Sequence, residues 1–107
     1  MKFLFVLLIF PIVVFGQCNG SALLCNKKYN EVAYLTTHNA FNSSEDNFTL
    51  PNQNFNISTQ LNDGVRGLMI DVYDYFGVPT VYHGNSLLGT EPLITYLNDI
   101  HTFLVNN

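Results

Sequence analysis

The chain has 107 residues, a formal net charge of −4, 48% hydrophobic and 11% charged residues, two Cys and no Trp; that length suits one small domain and excludes a multi-domain assembly. Met1–Gly16 is mostly apolar, and without it about 91 residues remain at roughly 42% apolar, with Lys27, Lys28 and Arg66 against eight carboxylates. The acidic balance excludes a basic nucleic-acid surface, the remaining hydrophobicity excludes wholesale disorder, and the length is short for a parallel α/β domain.

The chain opens with Lys2, an apolar run from Phe3 to Phe15, the small residue Gly16 and then Gln17. That order describes a secretory signal peptide over residues 1–16, cleaved after Gly16. A membrane-spanning helix needs about 20 apolar residues, and Pro11 interrupts this run; a buried helix or uncleaved anchor is the other reading. A secreted, extracellular protein follows. In an oxidising compartment the even pair Cys18 and Cys25 is expected to form a disulfide. The C-x₂-C spacing of a zinc site is absent. Four N-glycosylation triplets start at Asn19, Asn42, Asn47 and Asn56, and the polar stretch from Phe41 to Asn56 reads as an exposed loop.

Val32 to Thr37, β-branched and aromatic, predicts a strand, and the Asn-rich segment after it favours turns. Ile57 to Asn62 predicts a short helix with Asn56 or Ser58 as cap and Gly64 as stop. Leu68 to Tyr73 reads as a strand buried on both faces. The chain turns at Gly77-Val78-Pro79, and Thr80 to Tyr82 is a third strand ending at His83-Gly84. A final helix is predicted from Thr90 as cap, with Glu91 and Pro92 in its first turn. Its stripe is Leu93, Leu97, Ile100 and Leu104, with Ile94 and Val105 beside it. These elements predict a parallel α/β sheet with no linker or tandem repeat.

Each predicted strand carries a chemically capable residue at or near its C-terminal end: His38, Asp71 and His83. In parallel α/β barrels that rim is where sites are built. Two histidines and a carboxylate at one rim can move protons near neutrality. Each His also has a purely structural reading as a hydrogen-bonded strand end. Asp71 is equally read as a partner of Arg66 or of backbone amides, and His101 as a packing or solvent-facing residue.

Three blocks carry a family resemblance. Tyr34 to Phe41, YLTTHNAF, resembles the first catalytic block of the X domain of phosphatidylinositol-specific phospholipase C. Gln60 to Asp74 resembles the second block, and Val81-Tyr82-His83-Gly84 the third. The opening Cys18 to Cys25 is similar to that of secreted eukaryotic members, and the match runs collinearly to the end of the chain.

The resemblance implies an irregular TIM (β/α) barrel, with residues 17–107 as an incomplete N-terminal part. It implies a phosphoric diester hydrolase acting on phosphoinositide or related lipid head groups at a peripheral membrane surface. A sugar hydroxyl attacks phosphorus and expels the lipid alcohol. His38 matches the first histidine, general base or phosphorane stabiliser, and His83 the second, general acid. Asn39 and Asp71 match positions that help bind the ion in calcium-using members. Such members carry Glu two residues before the aspartate, where this chain has Met69. Calcium-independent members carry Arg two residues after it, where this chain has Tyr73. A Ca²⁺ or Mg²⁺ ion is therefore expected to bind only weakly, since hard cations want carboxylate oxygens. A binding or structural glycoprotein without turnover is the alternative. A complete barrel takes about 250 residues, so this chain alone is expected to hold both histidines without the whole site.

Overall fold

The computed structural model describes residues 18–107, so the expected signal peptide lies outside the described residues. Two short strands, β1 (Thr36–Thr37) and β2 (Gly67–Leu68), pair in parallel with Thr36 opposite Gly67. Hydrogen bonds extend this contact on both sides: Arg66 N and Gly67 N donate to Leu35 O, Met69 N to Thr37 O, and Ala40 N to Met69 O. Gly67 is required by the close approach, because a Cβ there would overlap the Thr36 side chain.

The connection between these strands ends in helix α1 (Ile57–Asn62). Asn56 Oδ1 accepts from Thr59 N at 2.9 Å, satisfying one free amide of the first turn. Gly64, at φ +100°, turns the chain out of the helix and toward β2. Both ends follow the sequence expectation.

The preceding loop departs from it. Phe41, Asn42, Ser43 and Phe48 are buried. Asn52 N and Gln53 N both donate to Asn42 O at 3.0 Å, and Ser44 N to Gln53 O at 3.0 Å. The loop's backbone bonds to itself, aided by the Ser43 and Ser44 hydroxyls, while Asn39, Asn42 and Asn52 bond to one another through their side chains, so polar composition here marks an ordered, partly buried strap.

The second sheet is antiparallel, which corrects the all-parallel expectation. Strands β3 (Val72–Tyr75) and β4 (Val78–Val81) form a hairpin, and β5 (Glu91–Pro92) pairs with β4. The hairpin turn is Phe76-Gly77, both at positive φ, 53° and 83°. Two such residues give the strand twist a tight hairpin needs, and Asp74 Oδ1 accepts from Gly77 N at 2.7 Å. The expected single strand from Leu68 to Tyr73 is broken at residues 69–71, where the backbone leaves β1 and enters the hairpin. Val72 and Tyr73 are 48% and 38% exposed, so β3 is not buried on both faces. Among the described residues the strands form these two small sheets and no closed barrel.

Helix α2 spans Leu93–Asn106. Glu91 and Pro92, expected in its first turn, pair with Val81 and Thr80 instead, which delays the helix to Leu93. Its inward face is Leu93, Tyr96, Ile100 and Phe103, while Leu97 and Leu104 of the expected stripe are 46% and 67% exposed. The aromatic rings win the inward positions because the Tyr96 ring meets Phe41 edge-on at 6.5 Å and its hydroxyl donates to Phe41 O. Ala40, Phe41, Phe48, Ile57, Leu61, Val81 and Tyr96 form the core. Burial raises the pKa of Tyr96, and also those of the Asp46 and Asp99 carboxyls.

Gln60 ties the elements together. It is 5% exposed; its Oε1 accepts from Thr37 Oγ1 at 2.6 Å, and its Nε2 donates to Ala40 O at 2.8 Å and Phe55 O at 2.7 Å. Replacement Gln60→Leu keeps the bulk but orphans a hydroxyl and two carbonyls. Chemical denaturation of this variant is expected to show a loss of about 2–4 kcal/mol.

Candidate functional site

The bonds between the first sheet's strand ends place the segment after β1 beside the segment after β2, since Ala40 N donates to Met69 O. Asn39 therefore lies near Asp71, and β4 delivers His83 two residues past its own end. His83 Nδ1 stands 3.1 Å from Asn39 Nδ2 and 3.6 Å from Asp71 Oδ2. The histidine and aspartate side chains are 46% and 45% exposed, whereas Asn39 is 2% exposed. A buried amide and a half-exposed carboxylate thus face one ring nitrogen. The Asp71 contact settles one open reading: the carboxylate faces His83, while the Arg66 guanidinium donates to Leu61 O and Val65 O at 2.7 Å and lies over the Phe103 ring.

His38 is exposed, and its backbone carbonyl accepts from Gln53 Nε2 at 2.7 Å. It adjoins the His83–Asn39–Asp71 group through the chain, as the residue before Asn39. Asn39 sits at φ +48°, a left-handed conformation that Asn tolerates better than most residues. That backbone turn lets His38 face solvent while the next side chain points inward. His101 is exposed on α2.

Sequence reasoning passed over Asn52 altogether and read Asn42 only as a glycan acceptor. Asn52 Oδ1 accepts from Asn39 Nδ2 at 3.2 Å and from Asn42 Nδ2 at 3.0 Å. In the sequence both sit in an Asn-rich stretch, where nothing separates a structural amide from a turn residue or a glycan acceptor. The four sequon asparagines differ in surroundings. Asn47 is exposed, Asn19 and Asn56 are half-buried with Asn56 capping α1, and Asn42 is 2% exposed with its nitrogen engaged. Cys18 and Cys25 are joined in a disulfide.

The oxygen donors at the site are one carboxylate and one amide beside the His83 imidazole, and Met69, two residues before Asp71, brings no oxygen side chain. No group of three or more His, Cys, Asp and Glu able to hold a metal occurs among the described residues. Ca²⁺ takes six to eight oxygens and Mg²⁺ a nearly ideal octahedron. The described residues do not fit a firmly held divalent cation, and no step below passes through one. Tyr73 stacks on Tyr82 with ring centroids 4.0 Å apart, so its ring serves the hairpin face.

On this mixed α/β unit a histidine is flanked by an amide and a carboxylate at the ends of short strands, an arrangement whose chemistry is that of taking up and releasing a proton. The PI-PLC X 1 family model matches residues 24–107, and the chain belongs to that family. It is 32% identical to a PI-PLC X domain-containing protein of Arabidopsis thaliana over 91% of this chain and 26% of the relative. It is also 31% identical to an uncharacterised secreted protein of Arthroderma benhamiae over 84% of this chain and 20% of the relative. The chain therefore spans about a quarter or a fifth of the length of these relatives. No solved structure matches.

The left-handed Asn39 gives the site a specific stability signature. Asn39→Ala loses two side-chain hydrogen bonds and also strains the backbone, whereas Asn39→Gly loses only the bonds. Equilibrium unfolding is expected to show Ala as the worse substitution by about 1 kcal/mol.

Proposed function

We propose that the whole protein is a secreted phosphoric diester hydrolase acting on phosphoinositide or related lipid head groups, in which these residues form the N-terminal part of an irregular TIM barrel. The observation that carries this reading is the convergence of Asn39 and Asp71 on His83 Nδ1. It supplies an oriented imidazole in a chain of this family that also carries an exposed histidine, His38, immediately before Asn39 in the sequence. The parallel pairing of β1 with β2 supports the barrel reading.

In the proposed reaction His38 takes the proton of an attacking sugar hydroxyl as its oxygen bonds to phosphorus. The bond from phosphorus to the lipid alcohol breaks, and the doubly protonated, positively charged His83 ring gives its Nε2 proton to that leaving oxygen, becoming neutral. Asp71 stabilises the charged ring whenever Nδ1 and Nε2 both carry protons. Arg66 is engaged by backbone carbonyls and the Phe103 ring, so the positive charge that phosphoryl transfer requires is not assigned to it.

A second reading is favoured by Met69 and Tyr73, which bring neither carboxylate nor cation to positions flanking Asp71. It is a secreted glycoprotein that binds the head group without cleaving it. The two readings separate on full-length protein presented with phosphatidylinositol vesicles. The hydrolase reading expects turnover, reduced about 10²- to 10⁴-fold by His38→Ala and by His83→Ala. Vesicle binding without turnover, or turnover indifferent to both substitutions, excludes it.

Secretion also carries an expectation about glycans. Protein produced in a eukaryotic secretory host and mapped by glycopeptide mass spectrometry is expected to carry a glycan on exposed Asn47. None is expected on Asn42, whose amide nitrogen is buried and bonded to Asn52.

A further inference from the structure

We propose that Asn52 is a positioning residue that sets the tautomer of His83 by orienting the carboxamide of Asn39. The proposal rests on His83 being the acid–base histidine and adds how its proton is placed.

An amide nitrogen carries only donors. The 3.1 Å contact from Asn39 Nδ2 therefore requires a lone pair on His83 Nδ1 and puts the neutral ring's proton on Nε2. Asp71 Oδ2, 3.6 Å from the same nitrogen, favours the opposite arrangement, because a carboxylate accepts and wants a proton on Nδ1. The outcome depends on which end of the Asn39 amide faces the ring. Turned over, Asn39 would present its oxygen and act with Asp71 to favour Nδ1–H.

Asn52 decides that orientation. Its Oδ1 accepts from Asn39 Nδ2 at 3.2 Å, so a turned Asn39 would set two carbonyl oxygens against each other. Asn52 is itself held by Asn42, whose Nδ2 donates to the same oxygen at 3.0 Å and whose carbonyl accepts from Asn52 N at 3.0 Å. Asn42 keeps that bond although its Oδ1 is buried with no hydrogen-bond partner among the described residues. An unpaired buried carbonyl is destabilising, and here it accompanies an amide chain running from Asn42 through Asn52 and Asn39 to His83. The loop thereby points the His83 proton away from Asp71, through Nε2.

The test is long-range ¹H–¹⁵N spectroscopy of full-length protein labelled in its histidine rings, at a pH where the His83 ring is seen in its neutral form. His83 is assigned by the signal lost in His83→Ala. The unaltered protein is expected to show Nε2–H. Asn52→Leu is expected to raise the Nδ1–H to Nε2–H ratio about fivefold, the ratio one ordinary hydrogen bond sets, and Asn52→Asp, which keeps the acceptor, to leave it unchanged. Asn52→Ser, whose hydroxyl is too short to bridge both amides, serves the same reading if the Leu variant does not fold. Predominant Nδ1–H in the unaltered protein overturns the proposal, as does an unchanged ratio in a folded Leu or Ser variant. The ratio is read without turnover, so its failure is distinct from the failure of the hydrolase reading.

Discussion

The Gln60 carboxamide, buried between α1 and the first sheet, accepts from Thr37 and donates to Ala40 and Phe55. Those three groups lie just before, just after and well beyond the His38–Asn39 pair. One side chain thus fixes the end of β1, the start of the loop and its return to the helix. It reaches them because Asn56 caps α1 in the register that turns Gln60 inward with Ile57 and Leu61. Were that register to slip, the amide would leave the core and the loop would lose its attachment at both ends. The position of Asn39, and through it that of His83, depends on this anchor.

A chain with 11% charged residues links its loop and site through neutral amides, of which Asn39, Asn42 and Gln60 are buried, Gln53 is partly buried and Asn52 is exposed. Gln53 holds the His38 carbonyl, Gln60 the loop ends, and Asn42 and Asn52 the Asn39 side chain. An amide carries donor and acceptor on one planar group, so each link fixes a direction as well as a contact. Burying such groups avoids the desolvation that a buried ion pair suffers. The accompanying requirement is full satisfaction, and the Asn42 carbonyl is the place where this network falls short.

Helix α1 was legible because every signal for it is local: Asn56 before it, Gly64 after it, and apolar residues on one face. The three blocks bearing His38, Asp71 and His83 were legible as a pattern of residue types. The break after Leu68 was not, because Leu68 to Tyr73 reads as a continuous apolar strand, and only its change of partner from β1 to the hairpin divides it. The hairpin depends on Phe76 at positive φ, an unusual conformation for an aromatic residue that nothing nearby announces. In α2 an aliphatic stripe and an aromatic stripe overlap, and periodicity does not choose between them. The core takes Tyr96 and Phe103 together with Leu93 and Ile100 of the aliphatic stripe, and Ile94, Leu97, Leu104 and Val105 are left exposed on the adjoining face. A helix apolar on two faces suits packing on two sides.

The site amides were hidden for a different reason. Turn formation, glycan acceptance and orientation of a neighbouring side chain all draw on the same Asn chemistry, and the stretch from Phe41 to Asn56 is rich in it. Burial distinguishes the roles: Asn42 and Asn39 are each 2% exposed, while Asn47 is at the surface. Burial in turn depends on Phe41 and Phe48 packing under Tyr96, 55 residues beyond Phe41. A long-range aromatic contact thus turns a stretch that reads locally as solvent-facing into the scaffold of the site. The geometry around His83 follows from that packing as much as from the residues that touch the ring.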